Sequence, residues 1–213
     1  MQIYYSIDFN LKVFSMLRHL LLLSVFILSF SYKSLAVCDS VVRSCFQHLY
    51  NTKTLQLLSL GSMCEHFAYI EQSKIYKDNR YKLLQNIEYR SGKKIIGELD
   101  LIVFDKNTKK VIKIFEVKCS KNIFDANTKS DIQINRFKDN IRRALSGRQR
   151  LYFANDDSLL SIEHFTDEID FSKITYLSTE AKSLGFDTLS LNLSEMEELT
   201  HKWNSSILLD TSK

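Results

Sequence analysis

Two carboxylates and a lysine lie close together in one part of the sequence. Asp100 stands in one apolar segment, and Glu116 and Lys118 stand in the next. Side chains alternate between the two faces of a strand, so Glu116 and Lys118 share a face if their segment is a strand. A hairpin that places Asp100 opposite Glu116 would bring all three groups to one point. Two adjacent carboxylates repel each other unless a cation lies between them.

This arrangement suits a hard divalent cation. Mg²⁺ binds through one or two carboxylates and keeps water and phosphate oxygens as its other ligands. We therefore expect Asp100 and Glu116 to hold Mg²⁺, with Mn²⁺ as an alternative. Such a metal polarises a phosphodiester and lowers the pKa of an attacking water. Lys118 could deprotonate that water if its own pKa falls toward neutrality, or stay charged and stabilise the transition state.

A β-hairpin and its neighbours must position these residues. Apolar runs rich in strand-forming residues predict five strands, over residues 81–90, 95–105, 111–119, 150–155 and 174–178. A turn at residues 106–110 joins the second and third strands, so that residues 95–119 form the hairpin.

Helical periodicity marks the segments on either side of the hairpin. It predicts helix over residues 38–76, in two pieces broken near Gly61, and over residues 129–146. A last helix is predicted to begin near Ser194, with a capping box between Ser194 and Glu197. The order of elements predicts an α/β fold with a mixed central sheet flanked by helices.

The hairpin resembles the active site of PD-(D/E)XK nucleases in its motif, Gly97-Glu98-Leu99-Asp100-Leu101-Ile102 followed by Phe115-Glu116-Val117-Lys118. The closest likeness is to small predicted endonucleases related to archaeal Holliday-junction resolvases, and it covers residues 61–145. The resemblance implies a restriction-endonuclease-like core with catalytic residues Asp100, Glu116 and Lys118.

Two further residues take a role from this resemblance. Glu65 lies where relatives carry a carboxylate on a preceding helix, which implies a catalytic and metal-binding role; an ordinary helix-surface carboxylate is the alternative. Gln133 lies on the helix after the hairpin, where relatives often place a polar side chain near the site. A solvated position is the alternative for Gln133.

Charge is distributed unevenly along the chain. Residues 73–150 hold 20 Lys and Arg against 9 Asp and Glu, a net of +11, whereas residues 151–213 hold 4 against 12, a net of −8. A basic block predicts a nucleic-acid partner, here DNA, although two solvated faces would give the same counts. The residues predicted to contact the nucleic acid lie on the basic helix: Gln133, Arg136, Lys138, Arg142 and Arg143.

The first 36 residues have the pattern of a signal peptide. Arg18 precedes an apolar run, and small residues ending at Ala36 follow it, so we expect cleavage after Ala36 and export to the periplasm or beyond. Translation could start at Met16. The expected mature chain, residues 37–213, is one domain with a core over about 61–155 and an acidic extension over 156–213, without stable membrane association. An uncleaved anchor is the alternative.

Four cysteines remain after such cleavage, namely Cys38, Cys45, Cys64 and Cys119. Export favours one or two disulfides, but four cysteines allow three complete pairings. Buried free thiols are the alternative for Cys64 and Cys119. The spacing and the lack of partnering histidines argue against a zinc site.

These observations predict an exported, metal-dependent nuclease that hydrolyses phosphodiester bonds in DNA. A noncatalytic nucleic-acid-binding or interaction protein on a nuclease-like fold is the main alternative. An extracytoplasmic structural protein is another, and a cytoplasmic repair role would follow if the signal-like segment is not used. The acidic extension could complete the sheet, mediate dimerisation or cover the basic surface.

Overall fold

The structure is a computed structural model that describes residues 43–47, 49, 56–77, 79–154 and 160–210. The chain divides into two compact units, Met1–Phe46 and Gln47–Lys213. The predicted signal peptide, the alternative start at Met16 and Cys38 lie outside the described residues. Within the described part of the chain, no helix is long and apolar enough to cross a membrane.

The second unit is built on a mixed six-stranded sheet, which confirms the predicted α/β fold with a sheet flanked by helices. The strands are β1 Tyr81–Ser91, β2 Lys94–Asp105, β3 Lys110–Val117, β4 Tyr152–Ala154, β5 Asp170–Thr175 and β6 Phe186–Thr188. Their order in the sheet is β4-β1-β2-β3-β5-β6. The first four of these pair antiparallel, and β3, β5 and β6 pair parallel.

Four helices accompany the sheet: α1 Leu60–Ile75, α2 Ile123–Leu145, α3 Thr179–Ser183 and α4 Leu193–Asp210, with a 3₁₀ turn at Ile162–His164. Helix α1 packs on β1, β2, β3 and α4. On α2, Phe137 and Ile141 are buried in a core cluster that includes Ile102 and Ile114. Full burial of such side chains contributes roughly 1.5–3 kcal/mol each.

Several predicted boundaries were wrong. Strand β3 ends at Val117, so Lys118 and Cys119 lie beyond it. Helix α2 begins at Ile123, six residues before the predicted 129, because the side chain of Asn122 accepts a hydrogen bond from the backbone N–H of Asp125 at 3.2 Å and caps the helix there. Strand β5 precedes the predicted segment 174–178 and overlaps only its start.

The capping box of the last helix was also placed wrongly. Helix α4 begins at Leu193, and its capping residues are Asn192 and Glu195 rather than Ser194 and Glu197. The amide of Asn192 donates to Glu195 at 2.8 Å, and the amide of Glu195 donates back to Asn192 at 3.0 Å. Asparagine caps a helix as well as serine does, so the same spacing two residues earlier is equally favourable.

The acidic C-terminal region completes the sheet. It supplies β5 and β6, and α4 buries Trp203 against the rest of the unit. The Trp203 indole donates to the carbonyl of Gln56 at 3.0 Å, and the Asn204 amide bonds both backbone groups of Leu58, at 2.8 and 3.0 Å. Of the three roles left open for this region, completion of the sheet is the one that the structure shows.

Candidate active site

The hairpin has the register that brings Asp100 beside Glu116. Strands β2 and β3 pair Leu101 with Phe115 and Ile102 with Ile114, and the next pair in that register is Asp100 with Glu116. The backbone N–H of Val117 donates to Asp100 Oδ2 at 2.7 Å, which fixes the carboxylate in place.

Lys118 closes the cluster. Its Nζ lies 3.1 Å from Asp100 Oδ2 and 2.5 Å from Glu116 Oε1, and it also donates to the carbonyl of Val117 at 3.1 Å. Both carboxylates are buried, with 6% of Asp100 and 4% of Glu116 exposed. The backbone N–H of Lys118 donates to Ile174 O on β5 at 2.9 Å. The C-terminal region therefore helps to hold the lysine.

In this cluster two carboxylates, those of Asp100 and Glu116, share one ammonium, that of Lys118. Burial, and next the Asp100 carboxylate, raises the pKa of Glu116 to about 8, although Lys118 opposes the rise. Glu116 Oε1 makes its ion pair with Lys118 but no hydrogen bond of ordinary geometry. Burial alone would lower the pKa of Lys118, but Asp100 and Glu116 outweigh it and raise that pKa above its ordinary value. Lys118 is therefore held as an ammonium.

Glu65 lies within electrostatic reach of the cluster. Burial, and then the Asp100 carboxylate, raises the pKa of Glu65 to about 7, and Lys118 opposes this. Glu65 is half-buried on α1, and Gln85 on β1 donates to its backbone carbonyl at 3.4 Å. The structure thus brings the helical carboxylate toward the hairpin, where the resemblance implied it should be.

A disulfide joins the two segments that carry these residues. Cys64 and Cys119 are bonded, with their Cα atoms 6.2 Å apart. One cysteine precedes Glu65 and the other follows Lys118. The alternative of buried free thiols at these two positions was wrong. The bond ties α1 to the end of β3 directly beside the candidate site.

Gly97 has a steric role that the motif alone did not reveal. A Cβ at this position would lie 2.3 Å from the hydroxyl oxygen of Tyr89. The Tyr89 ring is buried and packs edge-on against Phe137, with centroids 5.0 Å apart. The first residue of the Gly97-Glu98-Leu99-Asp100 motif is therefore glycine, because the Tyr89 side chain from the neighbouring strand occupies the space that a side chain at position 97 would need.

The backbone is irregular opposite Asp100. Asn86 has a φ of 54° between two regular pairs of the β1–β2 ladder, which places it across from Asp100. Asparagine tolerates this left-handed conformation better than most residues. Such irregularities are enriched at functional sites, and neither composition nor periodicity signals this one.

The donor set partly fits a divalent cation. Among the described residues, no group of three or more His, Cys, Asp and Glu side chains could hold a metal. Asp100, Glu116 and Glu65 therefore do not form a three-ligand group in this structure, in which Lys118 lies between the first two. Mg²⁺ needs only one or two carboxylates. Asp100 and Glu116 meet that requirement, and Glu116 Oε1 already lies against a cation, the Lys118 ammonium, at 2.5 Å.

No protein family model, curated protein or solved structure matches this chain. The resemblance to PD-(D/E)XK nucleases therefore rests on the motif residues of the sequence alone.

The five residues predicted to bind nucleic acid do not form one surface. Arg136 and Arg143 line one cavity, whereas Lys138 and Arg142 line another, of about 240 Å³. The Lys138 ammonium lies 4.6 Å from the centre of the Phe171 ring, and Arg142 pairs with Asp139 at 3.1 Å. A 23-residue helix has more than one exposed face, and the sequence did not show which face the cations shared.

Gln133 is half-buried on the same helix. The structure shows no hydrogen bond between its side chain and any described residue, and none to Asp100, Glu116 or Lys118. The role near the site that the resemblance implied for Gln133 stays a prediction.

Proposed function

We propose that this chain is an exported, metal-dependent nuclease with a restriction-endonuclease-like core of the PD-(D/E)XK type, which hydrolyses phosphodiester bonds in DNA. The observation that carries the proposal is the convergence of Asp100, Glu116 and Lys118 at the end of the β2–β3 hairpin. Their order and spacing in the sequence resemble the motif of those nucleases. The raised pKa values of Glu116 and Glu65 are typical of functional sites.

Asp100 and Glu116 are the residues that would hold Mg²⁺ or Mn²⁺. When bound, the cation supplies a Lewis acid to the scissile phosphate and lowers the pKa of the attacking water. Asp100 is preorganised for this role because the Val117 amide already orients its carboxylate. The strand geometry places Glu116 beside it without any further movement of the backbone.

Lys118 acts as a fixed positive charge in this proposal. Its raised pKa favours electrostatic stabilisation of the developing phosphorane charge over proton abstraction. With Asp100 and Glu116 as ligands of a cation, the Lys118 ammonium would be available to a phosphate oxygen. Glu65, which interacts electrostatically with Asp100 and Lys118, would accept a hydrogen bond from the attacking water.

Export is part of the same proposal. A signal peptide over residues 1–36 would deliver the chain to an oxidising compartment, and the Cys64–Cys119 disulfide supports such a location. Disulfides are rare in reducing compartments. The mature chain would then act without stable membrane association.

A noncatalytic nucleic-acid-binding protein is the second candidate. One observation favours it: Lys118 already neutralises part of the charge on Asp100 and Glu116, so the cluster has a cation of its own. On this account the divalent metal is dispensable, and the hairpin serves only as part of the core.

Cleavage of DNA separates the two candidates. The purified exported chain is incubated with supercoiled and single-stranded DNA in Mg²⁺, in Mn²⁺ and in EDTA, beside Asp100→Asn and Lys118→Met. Lys113→Met is the matched control, because Lys113 lies on β3, five residues before Lys118, but pairs with Asp170 instead, at 2.8 Å. We expect metal-dependent cleavage that both site variants abolish and the control retains. DNA binding without cleavage under any of these conditions would contradict the nuclease.

A further inference from the structure

A basic groove lies where the turn of the β1–β2 hairpin meets the end of α2. The cavity has a volume of about 830 Å³. The described residues that line it are Ser91, Lys94, Ile95, Ile96, Arg136, Asn140, Arg143, Arg148 and Gln149. Two of its cations, Lys94 and Arg148, lie outside the helical set that the sequence predicted to contact nucleic acid.

The groove concentrates positive charge. Lys94, Arg136, Arg143 and Arg148 line it, and no described lining residue is acidic. None of the four makes an ion pair with a residue in the described ranges. Arg142, by contrast, is paired with Asp139 on the same helix. Unpaired cations on a concave surface produce a strong local potential for an anion.

Local structure holds these cations in position. Gly147 has a φ of 74°, which turns the chain back at the end of α2. The amide of Arg148 then donates to the carbonyl of Arg143 at 2.9 Å, so that both residues lie at the groove. The Gln149 side chain donates to Asn140 Oδ1 at 3.1 Å and ties the turn to the helix. The wall of the groove is therefore largely preformed.

The groove adjoins the candidate active site through Tyr89. Burial raises the pKa of Tyr89 in spite of the Arg136 guanidinium beside its hydroxyl, and the Glu116 carboxylate adds to the rise. Tyr89 thus interacts electrostatically with a groove residue and with a site carboxylate. Strand β2 carries Lys94, Ile95 and Ile96 of the groove and then Asp100, so a polymer that occupied the groove could continue along the strand to Asp100.

The chemistry of the lining selects the ligand. The planar guanidinium group of arginine can donate two parallel hydrogen bonds to phosphate oxygens, and the neutral polar residues of the lining offer further donors. Proteins that grip unpaired strands also present aromatic side chains for stacking, and none of the described lining residues is aromatic. We infer that this groove binds the phosphodiester backbone of duplex DNA, and that Lys138 and Arg142 do not take part. The inference rests on the proposed function and extends it to a substrate form and a location.

Binding without catalysis tests the groove. Binding of a labelled duplex and of a single strand of equal length is measured by fluorescence anisotropy in EDTA, at about 50 and 200 mM salt. The groove variant is Arg143→Gln with Arg148→Gln. The matched control, Lys138→Gln with Arg142→Gln, removes the same charge from the other side of α2. Lys94→Gln, an exposed change on β2, serves if circular dichroism shows that the groove variant is unfolded.

We expect the groove variant to weaken duplex binding about 10-fold or more and to reduce the slope of log K against log salt by about 2, whereas the control changes binding less than about 2-fold. Equal losses in the two double variants, or tighter binding of the single strand by the wild type, would overturn the inference. If the wild type bound duplex DNA through the groove but never cleaved it, the result would support the groove as a binding site and contradict the proposed nuclease activity. Cleavage and binding unchanged in the groove variant would contradict the groove alone.

Discussion

Strand β2 carries two buried aspartates, Asp100 near its middle and Asp105 at its end, and the two have opposite environments. Asp105 receives the guanidinium of Arg80 at 3.0 and 2.6 Å and the amides of Asn107 and Thr108 at 2.9 and 3.4 Å. Arg80 is the main cause that lowers the pKa of Asp105 to about 2. Asp100, five residues earlier on the same strand, shares a single lysine with Glu116.

On the proposed function, this difference separates a structural carboxylate, Asp105, from a catalytic one, Asp100. Every described partner of Asp105 stabilises its charged form, so its charge is fully compensated within the fold. Beside Asp100, burial and then the Asp100 carboxylate raise the pKa of Glu116 to about 8 and that of Glu65 to about 7. Folded proteins retain such uncompensated charge where function requires it.

The largest effect is expected on catalysis. Glu116→Gln should lower the rate of DNA cleavage roughly 10³-fold, because it removes a charge that acts on the reacting centre. Asp105→Asn should leave the rate within a few-fold of wild type at a temperature where it is folded. Single-turnover cleavage in Mg²⁺ measures both rates. If Glu116→Gln and Asp105→Asn lost cleavage activity to a similar extent, the cluster around Asp100 would have no catalytic role beyond that of Asp105.

The next effect concerns the disulfide beside the site. Its sequence separation is 55 residues, and closing a loop of that length stabilises the folded state by roughly 2–4 kcal/mol. Cys64→Ser with Cys119→Ser should therefore lower the free energy of unfolding by about that amount, measured in urea. A reductant should destabilise the wild type to the same level and leave the double variant unchanged. An unaffected wild type would show that the bond is not formed.

A smaller effect is expected for Glu65 in the metal-free protein. Its folded pKa is raised from 4.5 to about 7, so its stabilising contribution is present below pH 4.5 and is lost as the pH rises through 7. Glu65→Gln should raise the free energy of unfolding at pH 8, by no more than about 3 kcal/mol, and have little effect at pH 4. Urea titrations in EDTA at the two pH values test this. A variant that is less stable at pH 8 would contradict the account.

The smallest effect has the opposite sign and belongs to Asp105. Its folded pKa is lowered from 3.8 to about 2, so its contribution is present above pH 3.8 and is lost as the pH falls through 2. Asp105→Asn should therefore be less stable than wild type at pH 6, and the difference should narrow below pH 3.8. Thermal unfolding midpoints across this range provide the measurement. If the difference in stability between wild type and Asp105→Asn widened as the pH fell, the ionised form of Asp105 would not be the one that stabilises the fold.

The hairpin and its three charged residues could be predicted from the sequence because they depend on local rules. Strand alternation and a short turn predict the hairpin, and a register shift between Val103 and Phe104 then brings Asp100 beside Glu116. The resemblance added Glu65, which the structure brings within electrostatic reach of Asp100. The mixed sheet followed from the order of the elements.

Other features depend on contacts between distant segments, which single-sequence patterns do not encode. The Cys64–Cys119 pairing was one of several that four cysteines allow. The separation of Arg136 and Arg143 from Lys138 and Arg142 depends on what packs against α2. The sequence did not predict that β5 pairs with β3, because the acidic residues of the C-terminal region suggested an extension outside the core.

The central claim is that Asp100 and Glu116 form a cation site and Asp105 does not. Titration calorimetry of Mn²⁺ into the metal-free chain tests it directly, with Asp100→Asn, Glu116→Gln and Asp105→Asn measured under conditions where circular dichroism shows each to be folded. The account predicts binding by the wild type and by Asp105→Asn, and its loss in the two site variants. Binding that survives in Asp100→Asn and Glu116→Gln, or no binding by the wild type, would contradict it.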